Sequence, residues 1–178
     1  RQAGPEFKRR GLKTKFIVAD TANGSNFYKY ARPLLEDRSL APYFGPLGFH
    51  SWDALAATER SYRQIGELAL AHNKEVWCLE AGWDAQLWQQ PDPWASWENG
   101  LKTAMAYVRT LGLTRASLMD YWTYQDNYAL VDKNGPKPYP VFHVMRQMQD
   151  VLAAGAKVAS TTPSSDQLMT ICTVGPDK

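Results

Sequence analysis

Four short apolar runs divide the chain, at positions 15–19, 43–49, 75–79 and 115–119. A polar or aromatic cluster follows each, at 20–25, 50–53, 80–84 and 120–127, and then a stretch of helical periodicity. The clearest helix spans 52–72, where Leu55, Tyr62, Ile65, Leu68 and Ala69 recur at three- and four-residue spacing against Glu59, Arg60, Arg63, Gln64 and Glu67. His72 and Asn73 close it, the first suited to the negative end of the helix dipole and the second to a left-handed residue. A second helix is expected to open at Asp92 with Pro93 in its first turn and to run through Trp97, Leu101, Ala104, Met105, Val108 and Leu111 to Gly112. A third begins near Pro140 and carries Val141, Val144, Met145, Met148, Val151 and Leu152 on one face. Between the first two strands, 26–36 reads as a helix disturbed by Pro33. Before Lys15 there is only the end of another helix, 5–10, stopped by Gly11, so the sequence reads as if it began in the middle of a fold.

Strand, loop and helix thus repeat four times at a spacing of about 30 to 40 residues, the rhythm of parallel βα units in an α/β fold. After Gly155 the rhythm changes. Segments 156–160 and 167–174 alternate like strands around a turn at 161–165, so a module boundary is expected near residue 154, dividing 1–154 from 155–178.

A length of 178 residues suits one domain, and 44% hydrophobic with 21% charged residues argues against disorder. The net charge of +2 comes from 20 basic and 18 acidic residues mixed along the chain, with clustered bases only at Lys8, Arg9, Arg10, Lys13 and Lys15. No nucleic-acid-binding stripe is expected. No apolar run approaches the roughly 18 to 20 residues of a membrane span, and the opening residues lack an export pattern. Cys78 and Cys172 are far apart and match no zinc spacing, so both are expected as free thiols, with no metal and no cofactor. Trp77, Trp83, Trp88, Trp94 and Trp97 crowd one region, which implies a use for flat apolar surface.

In parallel α/β folds, functional groups gather beyond the carboxyl ends of the strands. Simple alternation there places Val76, Cys78 and Glu80 on one strand face, with the Glu80 carboxylate above an apolar column. Such a carboxylate is costly unless hydrogen-bonded or chemically engaged; a loop-capping Glu is the plainer alternative. Asp20, Asn23, Asp84, Asp120, Asp126 and Asn127 lie in the same loops, as hydrogen-bonding groups for a ligand or, for most of them, as turn formers and caps. Cys78 reads as a small barrel-filling residue.

The run Glu80-Ala-Gly82 after an apolar strand, the upstream Gly48-Phe-His50-Ser-Trp52 and the downstream Asp120-Tyr-Trp122 with its Tyr124-Gln-Asp-Asn127 tail resemble strands seven, six and eight of the clan A retaining glycoside hydrolases. Lys137-Pro-Tyr-Pro-Val-Phe-His-Val-Met145, followed by Ala154-Gly-Ala-Lys-Val158, is similar to the passage from barrel to β-sandwich in several such families. The resemblance implies a (β/α)8 barrel of which 1–154 is the C-terminal half, strands five to eight, with 155–178 starting a β-sandwich. It makes Glu80 the catalytic nucleophile, which must be ionised to attack the anomeric carbon. It makes His50 a hydrogen-bonding support for Glu80 or the acid, Trp122 the platform under the sugar, and Trp52, Trp83 and Trp88 the lining of neighbouring subsites, with Asp20 of the loops on the same side as a further substrate-binding residue. Abundant Trp favours an oligosaccharide or polysaccharide.

Retaining glycosidases need two carboxylates about 5 Å apart. The family's second carboxylate lies in an Asn-Glu pair on strand four, and this chain contains no such pair; its inversion, Glu98-Asn99, falls inside an expected helix. A whole barrel takes about 250 residues. The expected partner is therefore a missing N-terminal half-barrel or a second copy of the chain, because an open four-stranded sheet exposes two edges and an apolar face. A non-catalytic carbohydrate-binding or assembly half-barrel is the alternative. A doubly wound domain for phosphorylated ligands is disfavoured, since no Gly-rich turn follows any strand.

Overall fold

A computed structural model describes residues 2–90, 93–159 and 168–175. Four strands, β1 (Phe16–Thr21), β2 (Phe44–His50), β3 (Val76–Ala81) and β4 (Leu118–Tyr121), form one parallel sheet in the order β1-β2-β3-β4. Five helices accompany them: α1 (Ala3–Arg9), α2 (Gly24–Glu36), α3 (Glu59–Ala71), α4 (Trp97–Thr114) and α5 (Pro140–Val151). A separate antiparallel pair joins β5 (Lys157–Ala159) to β6 (Cys172–Val174). The expected turn at 161–165 and the ends Ser160 and Gln167 lie outside the described residues.

One face of the sheet is covered. Val18, Leu47, Phe49, Val76, Cys78 and Ala81 meet Phe27, Ala31, Leu35, Tyr62, Ile65, Ala106 and Tyr107 from the helices in a single core. Each large side chain removed from water in this way contributes about 1.5–3 kcal/mol. Phe27, Phe49 and Tyr62 interlock edge to face at centroid distances of 6.1 and 6.0 Å. Among the described residues no helix covers the opposite face, and Ile17 stands 40% exposed there. On that face Gly48 makes room for Ile17 and Leu79, whose atoms lie 2.6 and 2.9 Å from where a Cβ would be.

Asp53 fixes the start of α2. Its carboxylate accepts from the backbone N–H groups of Gly24 and Ser25 and from the Tyr62 hydroxyl, at 2.9, 3.1 and 2.9 Å. The negative charge sits at the positive end of the helix dipole, a favourable arrangement. Asp53→Ala is expected to cost about 1–2 kcal/mol in chemical denaturation, because two helix donors and one buried hydroxyl lose their acceptor.

Several boundaries differ from the sequence expectation. Residues 52–57 form turns, so α3 starts at Glu59 behind Thr58, whose side chain accepts from the Ser61 N–H. Asn73 is left-handed, as expected, at φ 51°. Pro33 lies within an unbroken α2, on its exposed side, where losing one backbone donor is tolerated. The α4 N-cap is Ser96, accepting from Asn99 N–H, while Pro93 opens a short 3-10 turn and Asp92 lies outside the described residues. Gly112 does not end α4; the helix continues to Thr114 and stops at left-handed Arg115. Gly66 of α3 permits this close, since Thr114 O and Arg115 Cγ lie 2.9 Å from where its Cβ would stand. β4 consequently begins three residues later than the apolar run suggests.

Burial pushes the Cys78 thiol up to about 12 and raises the Tyr62, Tyr107 and Tyr121 phenols above their ordinary range. Burial is the largest cause for Tyr62, and the nearby Asp53 charge adds to it. The unfolded chain releases these protons near the ordinary values of 9.0 and 10.0 while the folded chain holds them. Stability is therefore complete below pH about 9 and falls as pH rises from there through about 12. Thermal melting across this range is expected to show the decline, whereas a flat profile would contradict it. Cys172 is exposed and Cys78 buried, both unpaired, so a thiol reagent should modify one group in the native protein and a second only after unfolding.

Candidate active site

Strand irregularities build the site. Along β3, Cys78 pairs with Phe49 but Glu80 pairs with His50, leaving Leu79 as an extra residue. The same step separates Cys78 and Ala81 against Met119 and Tyr121 of β4. This bulge corrects the expected alternation: Ala81, not Glu80, continues the buried Val76–Cys78 column, and Glu80 turns to the open face. Cys78 is likewise corrected, since it packs beneath the helices rather than inside a barrel, with its Sγ 3.5 Å from Glu80 O. β1 ends in a similar step between Ala19 and Thr21, and Ala19 and Asp20 adopt φ values of 73° and 43°. Left-handed conformations at such residues cost on the order of 1–3 kcal/mol each, and they cluster at functional sites.

The result is a hydrogen-bonded row across three strand ends. Oε2 of Glu80 lies 3.0 Å from His50 Nδ1 and accepts from the Trp52 indole N–H at 3.0 Å. His50 Nε2 stands 3.1 Å from Asp20 Oδ1. The His50 side chain is 17% exposed, Glu80 27% and Asp20 53%, so the row runs from a sheltered centre to solvent.

Ser51, Gly82 and Tyr128, given no role of their own in the sequence reading, hold this row. Ser51 is fully buried; its hydroxyl donates to Gly82 O and accepts from Gly82 N–H, each at 3.1 Å, while its own N–H donates to Glu80 O at 3.0 Å. The Trp52 ring lies against Gly82 so closely that a Cβ there would stand 2.0 Å from Cζ3. Tyr128 packs against Trp52 with its ring tilted, 4.9 Å between centroids, and donates its hydroxyl to Ala85 O. The small residues between the recognisable ones, Ser51 and Gly82, were the available signal.

Trp122 directly follows β4 and is 47% exposed, while Met119 and Tyr121 on the strand join the helix-side core. The peptide after it, Trp122–Thr123, is cis. Trp83 is not brought to the row: its N–H donates to Asn99 Oδ1 at 3.0 Å and Lys102 Nζ sits 4.5 Å above its ring, which anchors the loop to α4. Asp84 accepts from Gln86 N–H as a turn former. A groove of about 400 Å³ between β4, α4 and α5, lined by Leu111, Met119, Met145 and Met148, lies apart from Glu80.

The sheet, its crossovers and this row of strand-end residues define an α/β half-barrel with its polar groups at the carboxyl ends of the strands. No protein-family model matches the chain, and no curated protein matches its sequence. Solved structures do. A GH30 endoxylanase from Clostridium papyrosolvens C71 matches with TM-score 0.72 and 14% identity, over 94% of this chain and 40% of its own. SrfJ from Salmonella typhimurium gives 0.74 and 14%, over 98% and 41%, and the glycoside hydrolase family 30 subfamily 8 xylanase Xyn30A from Clostridium acetobutylicum gives 0.69 and 17%, over 91% and 38%. The chain thus spans about two fifths of the structures it matches, and its fold is that of part of a glycoside hydrolase (β/α)8 barrel.

Proposed function

We propose that the chain is the nucleophile half, strands five to eight, of a retaining glycoside hydrolase that cleaves an oligosaccharide or polysaccharide. The observation that carries this reading is the Glu80 carboxylate at a strand end, with Oε2 engaged by Trp52 and His50 and Oε1 left without a hydrogen bond among the described residues. In the reaction Oε1 attacks the anomeric carbon as the glycosidic C–O bond breaks. The leaving oxygen takes a proton from a second carboxyl about 5 Å away, and water then hydrolyses the glycosyl ester. The second carboxyl comes from the complementary barrel half. Trp122 offers its exposed indole face to the C–H face of a pyranose in the cleaved position.

The complementary half also answers the open sheet. β1 pairs only with β2 and β4 only with β3 among the described residues, so both outer strands present unused backbone groups. The partner is the N-terminal half-barrel or a second copy of the chain, adding strands at these edges. β5 and β6 are the first strands of a β module that starts near residue 155, tied to α5 by a hydrogen bond from the Thr173 hydroxyl to Val151 O.

An activated 2-deoxy-2-fluoro glycoside tests the reading on the assembled barrel, because its leaving group departs without an acid and its ester hydrolyses slowly. The expected result is one added glycosyl unit on the peptide that contains Glu80. A label on a different carboxylate, or turnover with retention and no label on this peptide, would overturn it.

A further inference from the structure

We propose that Asp20 is a positioning residue that makes His50 a donor from both ring nitrogens, locking Oε2 of Glu80 and leaving Oε1 as its reacting oxygen. The catalytic consequence rests on Glu80 being the nucleophile; the proton arrangement of the row does not.

A neutral imidazole has one N–H and one lone pair, and carboxylates only accept. Both His50 nitrogens face carboxylate oxygens, Glu80 Oε2 at 3.0 Å and Asp20 Oδ1 at 3.1 Å. With a single ring proton, one of these contacts would set a lone pair against an oxygen. With two, both become charge-assisted hydrogen bonds, which are short and strong. The groups around His50 support this assignment. β1 contributes Asp20 and β3 contributes Glu80, while Asp53 of the loop after β2 is already committed to α2 and Tyr62. Asp120 lies one strand further, on β4.

The backbone shows that Asp20 is placed for this contact. It sits at the register step that ends β1, in a left-handed conformation shared with Ala19. This irregularity accompanies an exposed aspartate directed at a sheltered histidine. Glu80 Oε2 then receives two donors, His50 Nδ1–H and Trp52 Nε1–H. Attack through that oxygen would have to break both bonds, so the other oxygen is the one free to bond to carbon.

Long-range proton–nitrogen NMR of the imidazole in the folded protein at neutral pH reads the arrangement directly. Both His50 nitrogens are expected to carry a proton in the unaltered chain. In Glu80→Gln the amide can donate to Nδ1, and His50 should keep one proton, on Nε2. In Asp20→Asn, a change at a half-exposed position that leaves the core intact, the Nε2 proton signature should be lost or strongly shifted. A singly protonated His50 in the unaltered protein, or spectra unchanged in both variants, would overturn the proposal. In the assembled enzyme Asp20→Asn should lower kcat and leave KM nearly unchanged, whereas a raised KM alone would make Asp20 a sugar ligand and contradict it. Labelling by the fluoro glycoside reports on Glu80 independently of the His50 protons, so the two ideas fail separately.

Discussion

Glu80→Gln in the assembled barrel is expected to remove turnover, by a factor on the order of 10⁴ to 10⁶, and to leave affinity for the proposed carbohydrate largely intact. The size follows from losing the group proposed to form the covalent bond, since removing a nucleophile costs nearly the whole contribution of the catalytic unit. The amide keeps the volume and planarity of the carboxyl group, and its oxygen can still accept from the Trp52 indole. What it cannot do is attack the anomeric carbon and leave again as a stabilised carboxylate. Steady-state hydrolysis beside calorimetric binding separates the two effects. A non-catalytic carbohydrate-binding half-barrel predicts no turnover before or after the change, so activity in the unaltered assembly that disappears in the variant decides between them.

Gly82→Ala is expected to damage the site from outside it. A Cβ at this position would stand 2.0 Å from Trp52 Cζ3 and 2.4 Å from Cε3, far inside contact distance, against a rigid ring. Either the indole swings away or the backbone after β3 shifts, and the Ser51 clamp on Gly82 resists the second. Overpacking of this kind costs about 1–3 kcal/mol. The indole movement also breaks the Trp52 hydrogen bond to Glu80, so activity falls further than stability alone predicts. Denaturant titration and kinetics on the same variant test this; a fully active Gly82→Ala would mean that Trp52 does not position Glu80. The double variant with Trp52→Phe provides a control, because once the hydrogen bond is absent the alanine should add little to the loss of rate.

The four βα units were legible because each combines a short apolar run with a polar strand end and a helix of clear periodicity. Glu80, His50 and Trp52 were legible as a group because their motifs fall at consecutive strand ends, where a parallel fold collects side chains. Alternation failed at Glu80 for a definite reason: one extra residue, Leu79, enters β3 without a partner, and no period-two pattern contains that information. The pairing of Asp20 with His50 was hidden in the same way by the step that ends β1. Asp53 illustrates a different limit. It stands beside His50 and Trp52 in sequence, yet its carboxylate faces the N-terminus of α2, a partnership fixed only once α2 and α3 pack together. Trp83 resembles the other strand-end aromatics in sequence, but Asn99 and Lys102 of α4 hold it elsewhere.

The functional proposal depends on the four strands being part of a closed sheet that another half completes. The mass of the folded chain in solution, measured by light scattering after size exclusion, tests this most directly. The account predicts association, either a defined species at twice the 20.1 kDa chain mass or larger assemblies formed through the open edges. A stable, cooperatively unfolding monomer at 20.1 kDa would contradict it, because the sheet edges and bare face would then need no partner.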